Sequence, residues 1–175
     1  MKTLKRVYSA VLDETLRENR QMAFVAGPRQ VGKTTTCREL GDVYLDWDNE
    51  DHRALILDGP RAVAPYAGIE QLHEAPVRIV FDELHKYKRW KQFLKGFFDT
   101  YEDRSRIMVT GSSRLDVYRK GGDSLMGRYF LYRMHPLSVA ELCRQDPSDH
   151  PCEAPARLLD DEWQALWEFG GHPEV

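Results

Sequence analysis

Residues 27–34 of the chain, GPRQVGKT, match the pattern G-x-x-x-x-G-K-[ST] of a phosphate-binding loop at every fixed position. An apolar run of strand length, residues 22–26, precedes the loop, and residues 35–40 can begin a helix directly after it. This context gives the pattern physical meaning, because a strand and a helix together hold the loop's N–H groups toward an anion. The segment, called the phosphate loop below, therefore predicts a nucleotide-binding site.

The fixed positions of the phosphate loop have separate tasks. Glycine lets the backbone turn its N–H groups inward around a β-phosphate. Lys33 would then reach the β- and γ-phosphates, and the hydroxyl of Thr34 would ligate magnesium. The predicted nucleotide-binding residues are Gly27, Pro28, Arg29, Gln30, Val31, Gly32, Lys33, Thr34 and Thr35.

Apolar runs of strand length alternate with segments of helical spacing along the chain. The expected strands are 22–26, 43–47, 77–81, 106–110 and 129–134. The expected helices are 7–20, 35–40, 51–57, 69–73, 88–99, 139–142 and one through Trp163 and Trp167. This alternation predicts an α/β fold of the P-loop NTPase kind, a sandwich around a largely parallel five-stranded sheet. Its ligand site is expected at the C-terminal ends of the strands.

Domain boundaries and helix caps follow from proline, glycine and small polar residues. Residues 1–145 are expected to form the P-loop core, and residues 146–175 a linker and terminal helix that begin a further region. Pro65 and Gly68 are expected to break the chain before the third strand. The expected caps are Ser138 for the helix at 139–142, and Asp160 or Asp161 for the last helix.

Two carboxylates, Asp82 and Glu83, end the third expected strand, which is the arrangement of a Walker B segment. Asp82 would hold magnesium through its water shell, and Glu83 would polarise the water that attacks the γ-phosphate. A carboxylate pair is common at the end of a strand. The complete phosphate loop upstream favours the catalytic interpretation, and a second carboxylate beside the first favours hydrolysis over passive binding.

Two further positions are candidates for catalysis, each with a structural alternative. Ser112 and Ser113 follow the fourth expected strand, where a hydroxyl can contact the γ-phosphate or the attacking water, but either could be a turn or cap residue. Arg128 precedes the fifth strand and could stabilise transition-state charge, or could form a surface ion pair. If that strand is parallel, Arg128 lies at the edge away from the loop and is better placed to act on a neighbouring subunit, or only after a partner docks.

Composition and charge limit which partners and which cellular location are expected for the chain. The net charge of −3 gives no general basic excess for nucleic acid, although residues 85–91 form a local basic stretch. No apolar run approaches the roughly 20 residues of a membrane span, and no apolar core of a secretory signal follows the basic N-terminus. Three cysteines without metal-ligand spacing are expected to be reduced thiols. A cytoplasmic protein is therefore expected.

The phosphate loop, the Walker B segment and the polar segments after them, in their order along the chain, resemble the N-terminal ATPase module of a prokaryotic AAA-type ATPase family. The resemblance implies an additional strand between the loop strand and the Walker B strand, and ATP with magnesium. It also implies the catalytic roles given above for Glu83, Ser112 and Arg128. A C-terminal domain of uncharacterised or nuclease-like character usually follows the module, and functions of that domain are not carried over to this chain. The resembling segments are 27–35, 44–48, 81–86, Trp90 with 94–96, 110–113, 125–129, 136–138 and 170–174.

The leading interpretation is an ATPase whose hydrolysis drives or times a conformational change in attached parts, in a homo-oligomer or in a protein partner. A binding module with negligible turnover and a small-molecule kinase are the alternatives. The kinase is less favoured because the loop is poor in glycine and the sequence has no clear arginine-bearing lid. A GTPase is disfavoured because the guanine-reading segment Asn-Lys-x-Asp does not occur.

Overall fold

A parallel β-sheet between helices forms the centre of the computed structural model, which describes residues 6–111, 125–143 and 158–171. Its strands are β1 (Met22–Ala26), β2 (Val43–Asp46), β3 (Val77–Asp82), β4 (Ser105–Gly111) and β5 (Tyr129–Arg133). The α-helices of these ranges are α1 (Val7–Glu18), α2 (Lys33–Leu40), α3 (Glu50–Leu57), α4 (Pro60–Tyr66), α5 (Trp90–Tyr101), α6 (Val139–Cys143) and α7 (Asp160–Phe169). None of these helices has the length and apolar character that a membrane span requires.

The five strands run in the same direction, in the order β2-β3-β4-β1-β5. β4 thus lies between β1, which leads into the phosphate loop, and β3, which ends at Asp82. Each return from one parallel strand to the next needs a crossover, so helices cover both faces of the sheet. The predictions of an α/β sandwich, a parallel five-stranded sheet and an additional strand are confirmed.

Side chains that alternate along each strand give the sheet two apolar faces. On one face Phe81 packs edge-on against Phe93 and Phe97 of α5. On the other face the strands pack against α1 and α2, and the buried residues there are Leu12, Leu16, Ala23, Val25, Val31, Cys37, Val80, Met108 and Met134. Asp82 lies two residues after Val80 in β3, so its side chain shares this second face and meets the start of α2.

Two local predictions for the chain before β3 are wrong. Residues 60–66 form α4, which begins at Pro60 and contains Pro65, the residue expected to break the chain. Pro60 is tolerated because the first N–H group of a helix has no partner within the helix. Residues 69–73 are not helical: Gly68 has a φ of 68°, and its carbonyl accepts the N–H of Gln71 in a turn.

The predicted helix caps have different outcomes. Ser138 caps α6 as predicted, because its hydroxyl accepts the N–H of Glu141 at 3.3 Å. The prediction for the last helix is wrong: Leu159 precedes α7, and Asp160 is already its first helical residue. A carboxylate in a first turn still interacts favourably with the helix dipole, which explains why acidic residues occur there.

Candidate nucleotide-binding site

The phosphate loop curves between the end of β1 and the first turn of α2. Gln30 and Gly32 have positive φ angles of 62° and 89°. Glycine adopts this region freely, whereas a residue such as Gln30 does so at a cost of about 1–3 kcal/mol, a strain that is common at ligand sites. Among the described residues no side chain caps the start of α2. The N–H groups of its first turn are therefore available to an anion.

Gly27 must be glycine because the end of β5 lies against it. A β-carbon at this position would be 2.2 Å from the carbonyl oxygen of Met134, which is far inside van der Waals contact. The N–H of Met134 donates to the carbonyl of Ala26 at 2.7 Å. The end of β5 therefore holds the point at which β1 passes into the phosphate loop.

Lys33 lies against the loop that precedes it, with 8% of its surface exposed. Its Nζ donates to the carbonyl oxygen of Pro28 at 2.5 Å. Burial lowers the pKa of Lys33, and the nearby carboxylates of Glu83 and Asp82 offset part of this effect. An anion bound in the loop would favour the charged ammonium in the same way.

The buried carboxylate of Asp82 accepts hydrogen bonds from three hydroxyl groups. Thr34, in the first turn of α2, donates to Oδ2 at 3.0 Å, and Tyr44 of β2 donates to the same oxygen at 2.6 Å. Thr110 of β4 donates to Oδ1. Asp82 thereby connects α2 and both neighbouring strands to the strand that it ends.

Thr34 and Asp82, the residues predicted to hold magnesium, meet in this network with their oxygens 3.0 Å apart. A hydroxyl and a carboxylate are hard oxygen donors of the kind that Mg²⁺ prefers. The described residues contain no group of three or more His, Cys, Asp or Glu side chains that could hold a metal ion. The pair still fits magnesium, because proteins usually hold this ion with one or two side chains while phosphate oxygens and water complete its shell.

Tyr44 and Thr110 are residues of the site to which the sequence patterns assigned no role. Burial, followed by the hydrogen bond to Asp82, raises the pKa of Tyr44, so the phenol remains a donor at neutral pH. The guanidinium of Arg38 lies 4.8 Å from the centre of the Tyr44 ring and holds it against α2. Asp46 is the partner of Asp82 in the register of β2 and β3, and Tyr44 lies two residues before it, so Tyr44 shares the face of Asp82.

Glu83, the predicted general base, follows β3 at the rim of the site. Its φ of 53° turns the chain sharply, and its N–H donates to the carbonyl of Thr110 at 3.2 Å. Its Oε2 lies 3.3 Å from Nζ of Lys86 and 3.8 Å from Nε2 of His85. Burial lowers the pKa of His85, so the imidazole is uncharged at neutral pH and Lys86 is the cation beside Glu83. Lys86 also contacts Oδ2 of Asp48 at 2.5 Å.

The remaining catalytic candidates are Ser112, Ser113 and Arg128. Ser112 and Ser113 lie outside the described residues. The carbonyl of Arg128 accepts the N–H of Met22, the first residue of β1, whereas the phosphate loop follows the last residue of β1. At about 3.3 Å per residue, the first and last residues of β1 are about 13 Å apart. The Arg128 side chain instead donates to Asp99 of α5 at 2.7 Å.

Comparison with known proteins identifies one family model, described as AAA domain, that matches residues 19–143. Curated proteins provided no match.

Several solved structures are similar in fold. For AMPPCP-bound DnaA from Aquifex aeolicus the TM-score is 0.55 at 15% identity, over 99% of this chain and 59% of that one. For the Aeropyrum pernix ORC1 protein in complex with DNA it is 0.52 at 15% identity, over 81% and 48%. For C. elegans PCH-2 it is 0.50 at 14% identity, over 77% and 42%. The chain thus spans about half the length of these structures. At such low identities, the similarity shows a common fold alone.

The contact between Gly27 and β5 leads to a prediction about stability. Gly27→Ala should lower the free energy of unfolding by several kcal/mol, because its methyl group cannot fit 2.2 Å from the Met134 carbonyl oxygen. Gly96→Ala is the matched control: Gly96 lies inside α5, and a β-carbon there would have its nearest neighbour, Pro60, at 3.9 Å. The control should gain about 0.5–1 kcal/mol. Urea unfolding of both variants measures the difference, and equal stabilities would contradict the packing described.

Proposed function

The chain belongs to the AAA domain family, and on this basis we propose that it binds ATP with magnesium and hydrolyses the β–γ phosphoanhydride. The observation that carries the proposal is the meeting of four side chains at one edge of the sheet: Lys33, Thr34, Asp82 and Glu83. All four lie where parallel strands end or where α2 begins. In open α/β sheets this edge is the usual place for a ligand.

The phosphate loop and Lys33 would bind the triphosphate. The N–H groups of the loop and of the first turn of α2 would hold the β-phosphate oxygens, and the helix dipole would favour their charge. Lys33 already lies against the loop through Pro28, so a small movement of its ammonium would bring it to the β- and γ-phosphates. These contacts support binding of a nucleotide with at least two phosphates.

Thr34 and Asp82 would hold the magnesium ion that accompanies the triphosphate. When bound, magnesium neutralises charge on the β- and γ-phosphate oxygens as the β–γ phosphoanhydride breaks. The Thr34 hydroxyl would be its direct protein ligand, and Asp82 would accept hydrogen bonds from its water shell. Tyr44 and Thr110 would keep the Asp82 carboxylate in one orientation, because each of them donates to one of its oxygens.

Glu83 would act as the general base toward the attacking water. It is the next residue after Asp82 and remains partly exposed, with 29% of its side chain accessible. The ion pair with Lys86 holds the carboxylate in place but also occupies its Oε2 oxygen. That pair favours the second candidate function, a nucleotide-dependent binding module with very slow turnover.

Conformational coupling is the finer part of the proposal. The solved structures that share the fold include DnaA bound to a nucleotide analogue and ORC1 bound to DNA. By analogy, this chain would change its contacts with a macromolecular partner, or with further copies of itself, when ATP is replaced by ADP. We place this activity in the cytoplasm, in keeping with the expected reduced thiols. Ser112 or Ser113 would contact the γ-phosphate.

ATP binding is tested by Lys33→Ala with Lys95→Ala as the control. Lys95 is an exposed lysine of α5, on the other face of the sheet. Loss of the Lys33 ammonium should weaken ATP binding by roughly 10- to 100-fold, the size of one or more charge-assisted hydrogen bonds, while Lys95→Ala leaves it unchanged. Calorimetric titration with ATP and magnesium measures both. Unchanged affinity in Lys33→Ala would refute the site.

Hydrolysis is tested by Glu83→Gln. The amide keeps the size of the side chain but cannot accept a proton, so turnover should fall by roughly 10²-fold or more while ATP affinity stays within a few-fold. Phosphate release under single-turnover conditions, without any added acceptor, provides the measurement. Glu70→Gln, which changes an exposed carboxylate near the opposite edge of the sheet, is the control. Equal rates in Glu83→Gln and the parent would move the base elsewhere, with Asp46 and Asp48 next to be tested.

A role of Arg128 in a neighbouring subunit is tested by the dependence of activity on protein concentration. Arg128 lies at the far edge of the sheet, so any action on a γ-phosphate would have to occur between copies of the chain. Specific activity should rise with concentration, and Arg128→Ala should abolish the rise. Asp99→Ala removes the same ion pair but keeps the arginine, so it should retain the rise. A rate that is independent of concentration in all three proteins would leave Arg128 a structural residue.

A further inference from the structure

The guanidinium of Arg6 is buried where three distant segments of the chain meet. The residue is 4% exposed, and its Nε donates to Oε1 of Glu141 at 2.8 Å. Its Nη2 donates to the carbonyl of His135 at 2.7 Å, and its Nη1 donates to the carbonyl of Val31. Arg6 thus joins the start of α1, the chain after β5 and the phosphate loop itself.

Glu141, the partner of Arg6, has an equally complete set of contacts. It accepts the N–H of Val7 at the start of α1 at 3.0 Å, and the N–H and hydroxyl of Ser138 at 3.0 and 3.1 Å. Burial alone would raise the pKa of the Glu141 carboxyl, but the hydrogen bonds from Arg6, Ser138 and Val7 together lower it. The pair is therefore charged at neutral pH, and each partner satisfies the other in the interior.

The bond from Arg6 to Val31 fixes the direction of a peptide unit in the phosphate loop. The described residues contain no cis peptide bonds. In a trans peptide the carbonyl and the following N–H point in opposite directions. Because Arg6 holds the Val31 carbonyl on its own side, the N–H of Gly32 points away from Arg6. Gly32 precedes α2, so this N–H belongs to the group that would surround a β-phosphate.

We propose that Arg6 is a positioning residue that holds the phosphate loop in its binding conformation, and that Glu141 links this conformation to the docking of α6. The inference rests on the proposed ATP site. Arg6 does not touch the nucleotide; it acts through the Val31 peptide, and Glu141 orients its guanidinium. Because the same ion pair reaches the loop and α6, ATP binding and α6 docking must favour each other to the same extent.

A second ion pair of α1 offers a matched control. Asp13 of α1 accepts Nη1 of Arg78 from β3 at 2.8 Å, and both side chains are largely covered. Like Arg6, Arg78 fastens α1 to the rest of the fold. Its guanidinium pairs with Asp13 and its backbone N–H donates to Asp42, near the start of β3 and at the sheet edge opposite the phosphate loop. Loss of Arg78 therefore weakens the attachment of α1 but leaves the Val31 peptide unaltered.

The experiment compares Arg6→Met, Arg6→Lys and Arg78→Met in the full chain, with ATP affinity measured by calorimetry and stability by urea unfolding. Arg6→Met should weaken ATP binding about tenfold or more, since the loop loses the charge-assisted hydrogen bond that orients it. Arg78→Met should lose stability with ATP affinity within about twofold of the parent. Arg6→Lys should fall between them, because a lysine keeps the charge but cannot reach three acceptors in one plane.

Hydrogen exchange of residues 27–34 without nucleotide gives a readout that does not depend on ATP. Exchange there should be faster in Arg6→Met than in Arg78→Met, and ATP should slow the exchange of α6 in the parent more than in Arg6→Met.

Should Arg6→Met fail to fold, Glu141→Gln, which keeps the arginine but weakens its orientation, should change the same quantities in the same direction. Equal affinity and equal loop exchange in the Arg6 variants, Glu141→Gln and the parent would overturn the inference. A parent chain that does not bind ATP would refute the proposed function, while loop exchange would still decide the role of Arg6.

Discussion

One buried carboxylate, Asp82, determines how the elements around the phosphate loop fit together. An isolated carboxylate is strongly disfavoured in a protein interior, so its hydrogen-bond partners must be held in place. These partners come from the first turn of α2, from β2 and from β4. A shift of any one of these elements would remove a hydrogen-bond donor from the buried carboxylate. The position of the loop relative to the sheet therefore depends on the same contacts that orient the proposed magnesium site.

Local sequence signals were enough to predict most of the fold. All five strands lie within one residue of the expected bounds at each end, because apolar runs of strand length bounded by turn residues are a local property. The phosphate loop is likewise encoded by eight consecutive residues. Helix α4 was not predicted because proline can begin a helix as well as end one, and the sequence offers no way to weigh these two roles.

The site was less predictable wherever its residues are distant along the chain. Tyr44 of β2 contacts Asp82 of the adjacent strand β3. Prediction of this contact requires the strand order, which the residue patterns alone did not provide. Arg6 lies 25 residues before Val31 and 135 before Glu141, so no spacing rule could connect them. Arg128 is the opposite case. Its location at the far edge followed from the direction of a parallel strand, but its pairing with Asp99 depends on how α5 packs.

The charges around the loop explain why the proposed ligand would be a magnesium complex rather than a bare triphosphate. Close to Asp82 and Glu83, the carboxylates of Asp48, Asp82 and Glu83 lie near the ammonium groups of Lys33 and Lys86. The guanidinium of Arg38 lies on the ring of Tyr44 beside them. A triphosphate adds several negative charges within a few ångströms, where repulsion between unit charges is about 4 kcal/mol at 4 Å for an effective dielectric constant of 20. The loop N–H dipoles and Lys33 can offset a part of this. A divalent cation between the phosphates and Asp82 would offset much of the remainder, which makes the buried Asp82 carboxylate an asset for binding instead of an obstacle.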